Sequence, residues 1–427
     1  MRKKLLLMPA YSYPEQDSSS HLGYDRNSAL IENGYDLVLY AATPTRGVSR
    51  DIRKEYRRIK CETRHDNHMI VHRYYLPRER KSATLRAIRY SLQCVKLFNR
   101  AVFCKDARSC DVMWISSTPP LKGAVLGFAK CITKIPLVYN LQDVFPDSLA
   151  GTGLAKRGGM LWKLGLAIAR YTYKKSDAIT VISQDSYDKL VSRGVPKEKL
   201  FLVYNWIDSS SIIPVEDKDN PLFEEFGISK DKFRVVYAGN LGNAQNIDII
   251  IDAASILREN ESIEFIIFGS GGKENELKKC IEKKGLKNIK MLPLQTYDRV
   301  SFVYSLGSVC VVSCRANFGG AAMPSKTWTI MSCGRPVLAS FDEGELARII
   351  TSNQCGIFTH SEKLDEFVSA IHTLNEDLQL CKTLGRNARL FIENNLSKEA
   401  GVSTFLKVIN KVYNQKQNER TQYKRDD

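Results

Sequence analysis

The stretch FRVVYAGNLGNAQNIDII, Phe233 to Ile250, decides how the chain reads. Phe233–Ala238 is a short apolar, β-rich run of the kind that forms a strand covered on both faces. Gly239 and Gly242 interrupt it, and a helical pattern begins at about Ile247. Glycines at a strand end let the backbone come close to a ligand, and the N-terminus of the following helix favours an anion. The spacing is not Gly-x-Gly-x-x-Gly, and no Gly-Lys-Ser/Thr follows. Nicotinamide cofactors and ATP hydrolysis therefore have no motif support.

The same strand–turn–helix unit recurs on either side. Strands are expected at Lys4–Met8, Asp36–Ala41, Val112–Ser116, Leu137–Leu141, Ala178–Ile182 and Phe201–Tyr204. A second set follows at Phe233–Ala238, Glu264–Phe268, Ile289–Leu292, Ser308–Val312 and Pro336–Ala339. Helical patterns separate most of them, which predicts an α/β protein with parallel sheets. The alternation pauses over a polar stretch that includes Asp-Ser-Ser-Ser, Pro214 and Pro221. The expectation is two tandem doubly wound, Rossmann-like domains facing a cleft: 1–205, a linker at 206–232, then 233–397. A C-terminal helix and polar tail, 398–427, crosses back to the first domain. Ligands of such sheets bind beyond the carboxyl ends of the strands.

Bulk properties narrow the function. A chain of 427 residues with 43% hydrophobic content is globular and long enough for two cores. No apolar run is long enough for a membrane span. Its 11 cysteines are scattered, with no Cys-x-x-Cys, as in a cytosolic protein with reduced thiols. The net charge of +16 is concentrated: Arg46–Arg108 holds 18 Lys/Arg against 6 Asp/Glu. Such a patch implies an anionic partner: nucleic acid, an acidic bilayer or a phosphorylated substrate. Within it, Leu85, Ile88, Leu92, Val95 and Val102 follow helical spacing beside Arg86, Arg89, Lys96 and Arg100. This basic amphipathic helix either lies in a membrane interface or packs on its own sheet with a cationic outer face.

Several loops can carry chemistry. In Ala321–Ser340, AAMPSKTWTIMSCGRPVLAS, Pro324 suits a first helical turn, and Ser325 and Lys326 offer a hydroxyl and a cation beside free N–H groups. Gly269 opens a glycine turn after another strand, and Met291-Leu-Pro-Leu-Gln follows a third. Together these loops suggest a nucleotide diphosphate site. Asp143, in Asn140-Leu-Gln-Asp-Val-Phe-Pro-Asp-Ser-Leu, stands at a strand end where a carboxylate can align a hydroxyl or act as a base. Asp147, with Ser148 next to it, reads as a helix cap. Ser18–Ser20 and His21, after the first strand, can contact phosphate or sugar. His65, His68 and His72 lack further ligands and sit among cations, so no metal site is expected.

These residues together resemble the retaining GT-B glycosyltransferases of family 4, in the branch that builds bacterial O-antigen, capsule or other surface polysaccharide. The likeness covers nearly the whole chain. It rests on Tyr13-Pro-Glu, Leu141-Gln-Asp-Val-Phe-Pro-Asp-Ser-Leu, Tyr237-Ala-Gly-Asn-Leu-Gly-Asn-Ala-Gln-Asn and Met323-Pro-Ser-Lys…Gly334-Arg-Pro-Val. It implies a nucleotide-sugar donor, usually a UDP-sugar, held by the second domain. The implied acceptor, often a polyprenyl-diphosphate-linked saccharide, is held by the basic first domain. Gly239, Asn240, Gly242 and Gln245 would line the diphosphate loop, and Ser325 and Lys326 would hold the diphosphate. Asp143 would sit near the reacting sugar. No metal and no other cofactor are implied, and the place would be cytoplasmic, peripheral at the inner face of the cell membrane.

The chain departs from the family pattern twice. Aligned on Gly334, a Glu-x7-Glu pair common in the family becomes Ala321 and Thr329, and a Gly-Gly pair in the first loop becomes Ser18-Ser19-Ser20. Two other readings stand beside the transferase. A nucleotide-sugar epimerase or hydrolase on the same architecture would act on donor alone. A basic protein binding nucleic acid or a membrane would need base-stacking aromatics among the cations to favour nucleic acid, and only Tyr56, Tyr74 and Tyr75 offer them.

Overall fold

A computed structural model describes residues 2–15, 20–79, 82–147, 156, 158–319 and 322–426. The expectations placed on Ser18, Ser19, Ser148 and Ala321 lie outside the described residues. The chain divides into two compact units, one of Met1–Tyr204 with Gly401–Asp427, the other of Asn205–Ala400.

The first unit is built on an eight-stranded sheet. Its strands are β1 Lys3–Met8, β2 Tyr35–Ala42, β3 Cys61–Arg64, β4 Met69–Tyr74, β5 Val112–Ser116, β6 Leu137–Leu141, β7 Ala178–Val181 and β8 Leu200–Leu202. They lie in the order β3-β4-β2-β1-β5-β6-β7-β8. All neighbours are parallel except the β3–β4 pair. The chain works outward from β1 through β2 to β4, then returns to the other side of β1 and works outward again from β5. The crevice between the carboxyl ends of β1 and β5 is thus a topological switch point. Leu5–Met8 are fully buried, as expected of a central strand packed on both faces. The expected strands are found within a few residues of their expected ends. The β3–β4 hairpin is an addition: its sequence, CETR and MIVHRY, is broken by Glu62, Arg64 and Arg73 and lies inside the basic segment.

The Ala83–Phe103 helix of the amphipathic segment packs within the first unit through one face. Leu97, Ala101 and Val102 pack inward with Arg89, Gln93 and Cys94, whereas Leu85, Ile88, Leu92 and Val95 are exposed. Its outer face is apolar, not simply cationic. The neighbouring helices Leu121–Thr133 and Met160–Lys175 continue the pattern with exposed Phe128, Ile132, Leu161 and Leu164. No helix among the described residues is long and apolar enough to cross a membrane.

The second unit carries a six-stranded, all-parallel sheet in the order β11-β10-β9-β12-β13-β14. These are β9 Phe233–Asn240, β10 Ile263–Ser270, β11 Ile289–Pro293, β12 Val309–Ser313, β13 Val337–Phe341 and β14 Gly356–His360. Its switch point lies between β9 and β12. Strand β14 is short and half-buried, and its sequence GIFTH gives no clear alternation. The polar 206–232 stretch is not a free connector but part of this unit. Leu222 and Phe223 are buried, and the Asn220 side-chain amide donates to the Phe302 carbonyl at 2.8 Å. Polar composition hid those apolar anchors.

From Gly401 the Lys398–Asp426 helix packs within the first unit. Phe405 meets Trp114 edge-on at 6.4 Å, and Asn410 accepts from the Tyr35 hydroxyl at 2.8 Å and the Lys3 ammonium at 3.0 Å. Replacing a buried phenylalanine by alanine removes its transfer energy and leaves a cavity. Phe405→Ala is therefore expected to cost about 3–5 kcal/mol. Urea unfolding followed by Trp fluorescence checks this, and a loss below about 1 kcal/mol would show that the helix is not an integral part of the unit.

Candidate active site

In the second unit two of the expected phosphate loops, the turn after β9 and the start of the Ser325–Ser332 helix, meet at the switch point, whereas Met291-Leu-Pro-Leu-Gln runs from the edge strand β11. Strand β9 ends at Asn240, and the turn that follows is pinned to β12. The Ser313 hydroxyl donates to the Gln245 carbonyl at 2.5 Å, and the Arg315 amide donates to the Ala244 carbonyl at 2.9 Å. Gly239 has φ +143°, a region that L side chains rarely adopt. Gly242 has no room for a side chain: a Cβ there would stand 2.7 Å from Asn240 Nδ2 and 2.8 Å from Gln245 Oε1. Those two side chains are hydrogen-bonded to each other at 3.2 Å, so Gly242, Asn240 and Gln245 form one tight turn. Gly269 is the register partner of Gly239 on β10 and is buried, and a Cβ there would strike the Leu241 side chain at 2.6 Å. Its place is explained by packing beneath the turn.

Lys326 completes the arrangement. It is the second residue of the Ser325–Ser332 helix, which Pro324 precedes as the cap rather than entering its first turn. The side chain reaches back to β9, where Nζ lies 3.9 Å from the centroid of the Tyr237 ring. A Cβ on Gly239 would stand 3.0 Å from that nitrogen, so glycine is what lets the lysine in. The ammonium nitrogen is buried and has no hydrogen-bond partner among the described residues. Burial pushes its pKa down to about 7, only partly countered by the Cys314 thiol. Tyr237, which carries the ammonium on its ring face, was not singled out by the sequence because it reads as an ordinary strand aromatic. Thr329, at one of the missing glutamate positions, is buried with its hydroxyl 3.4 Å from the Ser325 carbonyl in its own helix.

The first unit holds the other expected residue. Asp143 follows β6 on a bend. Its side chain keeps contact with solvent, yet the protein around it desolvates the carboxyl and raises its pKa. Asp147, expected as a cap, instead pairs with Lys189 at 2.6 Å and with Arg193, which hold its carboxyl below the usual range against the effect of burial. Two cations 42 and 46 residues further along the chain are invisible to a local reading. His68 and His72 do not converge on a metal: His68 meets Asp36 at 2.9 Å and His72 meets Asp106 at 3.0 Å.

At the switch point of this unit lies a cavity of about 320 Å³, reached from the loops after β1, β5 and β6. Ser20 lines it, as do Tyr11 and Tyr13. Glu15 is the only carboxylate among the described residues of its wall. Four hydrogen bonds, from the amides of Ser12, Thr45 and Arg46 and the Thr45 hydroxyl, occupy that carboxylate and tie the loop after β1 to the loop after β2. Three arginines, Arg26, Arg46 and Arg64, also face the cavity.

Comparison with known proteins fits this geometry. The family model described as "Glycosyl transferase 4-like domain" matches residues 28–206, and that described as "Glycosyl transferases group 1" matches 218–391. The chain belongs to glycosyltransferase family 4. Among relatives, WcaI of Escherichia coli (strain K12), whose name ties it to colanic acid biosynthesis, is 28% identical over 63% of this chain and 66% of its own length. The match thus spans just under two thirds of that relative. WbjE of Pseudomonas aeruginosa, which carries a glycosyltransferase name, is 24% identical over 73% of this chain and 76% of its own. Among solved structures, Anabaena HepE in complex with UDP superposes with a TM-score of 0.70 at 17% identity, covering 96% of this chain and all of HepE. That likeness is one of fold, the two-domain GT-B architecture.

The Lys326 geometry has a measurable consequence. The unfolded chain titrates this ammonium near its ordinary 10.5, the folded one near 7. Between those values the unfolded state holds a proton that the folded state lacks, so stability rises with pH across that window. Lys326→Met is expected to remove that share of the pH dependence. NMR of 13C-labelled lysine should show an ε-methylene titrating near 7 that the variant lacks, beside that of Lys122, which burial also lowers to about 7 and which the variant keeps. A titration above 9 for every lysine would refute the burial.

Proposed function

We propose that the protein is a retaining glycosyltransferase that moves a sugar from a nucleotide-sugar, a UDP-sugar, to a lipid-linked or polysaccharide-intermediate acceptor in surface polysaccharide biosynthesis. The observation that carries the reading is the buried, unpaired Lys326 ammonium at the strand ends of the second unit. Beyond the Tyr237 ring, a charge so placed calls for an anion brought to it, and a diphosphate among the Gly239–Gln245 turn and the Ser325 helix start is such an anion. The family membership and the UDP bound by HepE point the same way.

In this mechanism the bond from the sugar C1 to the diphosphate oxygen breaks while the acceptor oxygen forms its bond to C1 on the same face. The acceptor proton passes to the departing phosphate oxygen. Lys326 gains most as negative charge collects on that oxygen, so its effect falls on the transition state more than on the bound donor. Asp143 is assigned to the reacting sugar, where its raised pKa suits a hydrogen-bonding carboxyl. The mechanism requires no metal, because the lysine and the helix start neutralise the diphosphate.

The acceptor and the place follow from the first unit. Exposed Leu85, Ile88, Leu92 and Val95, with Phe128, Ile132, Leu161 and Leu164 beside them, give an apolar face, and Arg86, Lys96, Arg100 and Lys163 stand among them. Apolar side chains backed by cations suit an anionic bilayer, which would put the protein at the cytoplasmic face of the cell membrane beside a lipid-linked acceptor.

Two experiments test these readings. Thermal stability with UDP, GDP, CMP and ADP is expected to rise for UDP and to lose that rise in Lys326→Ala. No rise with any nucleotide would overturn the donor assignment, and sugar release from donor alone would favour a hydrolase. Co-sedimentation with phosphatidylglycerol-containing vesicles is expected to exceed that with phosphatidylcholine alone, and to fall about tenfold or more when Leu85, Ile88 and Leu92 become serine. Unchanged sedimentation of the triple variant would remove the membrane face.

A further inference from the structure

The cavity of the first unit contains a charge that its own surroundings do not explain. Arg26, on the Ser20–Glu32 helix, is 7% exposed and lines the cavity wall. Its guanidinium stacks on Trp114 at 4.0 Å, and its only hydrogen bonds among the described residues, at 3.2 and 3.1 Å, go to the amide oxygen of its neighbour Asn27. No carboxylate pairs with it among the described residues, and burial alone pushes its pKa down to about 9. It therefore remains charged near neutrality in a site that withdraws water. A buried cation without a partner is strongly unfavourable. Two more guanidiniums stand at the same cavity, Arg46 over the Tyr11 ring at 4.5 Å and Arg64 over the Tyr13 ring at 4.6 Å. Arg64 is already paired, with Glu62 at 2.9 Å, but Arg46 has no ion pair among the described residues.

Other features of the wall point to the same kind of ligand. Glu15, the one carboxylate among the described wall residues, spends its oxygens on the loop it ties and forms no ion pair with the arginines. The remaining polar lining, Ser116 and Thr118 at the end of β5 among it, offers hydroxyl donors. The cavity lies outside the carboxyl ends of parallel strands at a switch point, the usual ligand position on such sheets, and its volume suits a small anion or a phosphorylated sugar.

We infer that this cavity binds a phosphate or diphosphate group, with Arg26 and Arg46 as its principal ligands. In terms of the transferase reading, on which the word acceptor rests, the acceptor presents a phosphorylated end to the first unit. Guanidinium groups grip such oxygens through paired N–H donors, and the aromatic rings beneath them hold the planes in place. One phosphate chemistry has two sources here, a lipid-linked diphosphate or a soluble sugar phosphate.

The test uses the full chain carrying Lys326→Ala, so that the second unit's cation contributes nothing. Inorganic pyrophosphate, farnesyl diphosphate, glucose 1-phosphate and glucuronate are titrated in turn by calorimetry. Pyrophosphate is expected to bind, and Arg26→Met, which keeps the side chain's bulk over Trp114, to weaken it at least tenfold. Arg46→Met, at an exposed position with no core role, is expected to weaken it several-fold and guards against a folding defect in the first variant. Tighter binding of farnesyl diphosphate than of glucose 1-phosphate identifies a lipid-linked source, and the reverse a soluble one. Binding of glucuronate with no binding of phosphates would overturn the proposal, as would pyrophosphate binding that neither arginine variant weakens or its absence from the Lys326→Ala protein. The donor reading is judged separately by UDP with wild-type Lys326, so either can fail without the other.

Discussion

A lysine ammonium shut away from water with no counter-ion is among the least favourable arrangements a fold can hold, and Lys326 is kept in it by its surroundings. The Ser325–Ser332 helix fixes its backbone, the Tyr237 ring supports its charge, and Gly239 leaves the space it enters. The ring face returns only a small part of the lost hydration, on the order of 2 kcal/mol. The remainder is recovered by shedding the proton or by admitting an anion. Much of the second unit serves this geometry: the parallel sheet delivers β9 and β12 side by side, and Ser313 and Arg315 clamp the turn that faces the ammonium.

The first unit repeats the logic with different residues. Its sheet also reverses direction beside its first strand, and the crevice that results again holds a buried cation, Arg26, against an aromatic ring. A guanidinium keeps its charge where an ammonium loses it, because its ordinary pKa lies two units higher. The crevice of the second unit therefore holds an ammonium that burial leaves poised near neutrality, and that of the first holds a guanidinium, Arg26, that stays charged. That difference suits one site where charge develops during reaction and another that only grips.

The architecture was legible because its evidence is local. Runs such as Leu5–Met8 and Val235–Ala238 can only be buried strands, and the glycines after them mark the turns. Strands β3, β4 and β14 were missed because charge or brevity masks their period. The spacing of Leu85, Ile88, Leu92 and Val95 revealed a helix, but periodicity does not say which face turns inward, and these four turn out while Leu97, Ala101 and Val102 turn in. Lys326 was found through its motif, whereas its missing partner is a fact of three dimensions. Arg26 carries no signal in sequence at all: it is one arginine among many in a basic chain, and only its burial beside Trp114 sets it apart. Asp147 was misread for a related reason, since Lys189 and Arg193 reach it across the fold.

The central claim is that Lys326 is a proton-poised receptor for a diphosphate, and proton linkage tests it most directly. Calorimetry of UDP binding at pH 8, in two buffers of different ionisation enthalpy, reports the protons exchanged. With a free pKa of about 7 the ammonium is mostly neutral at that pH, and a bound diphosphate would restore its charge. The account predicts uptake of about one proton by the wild-type protein and none by Lys326→Met. Binding of UDP with no proton uptake would contradict it, because the anion would then be held by something other than this lysine.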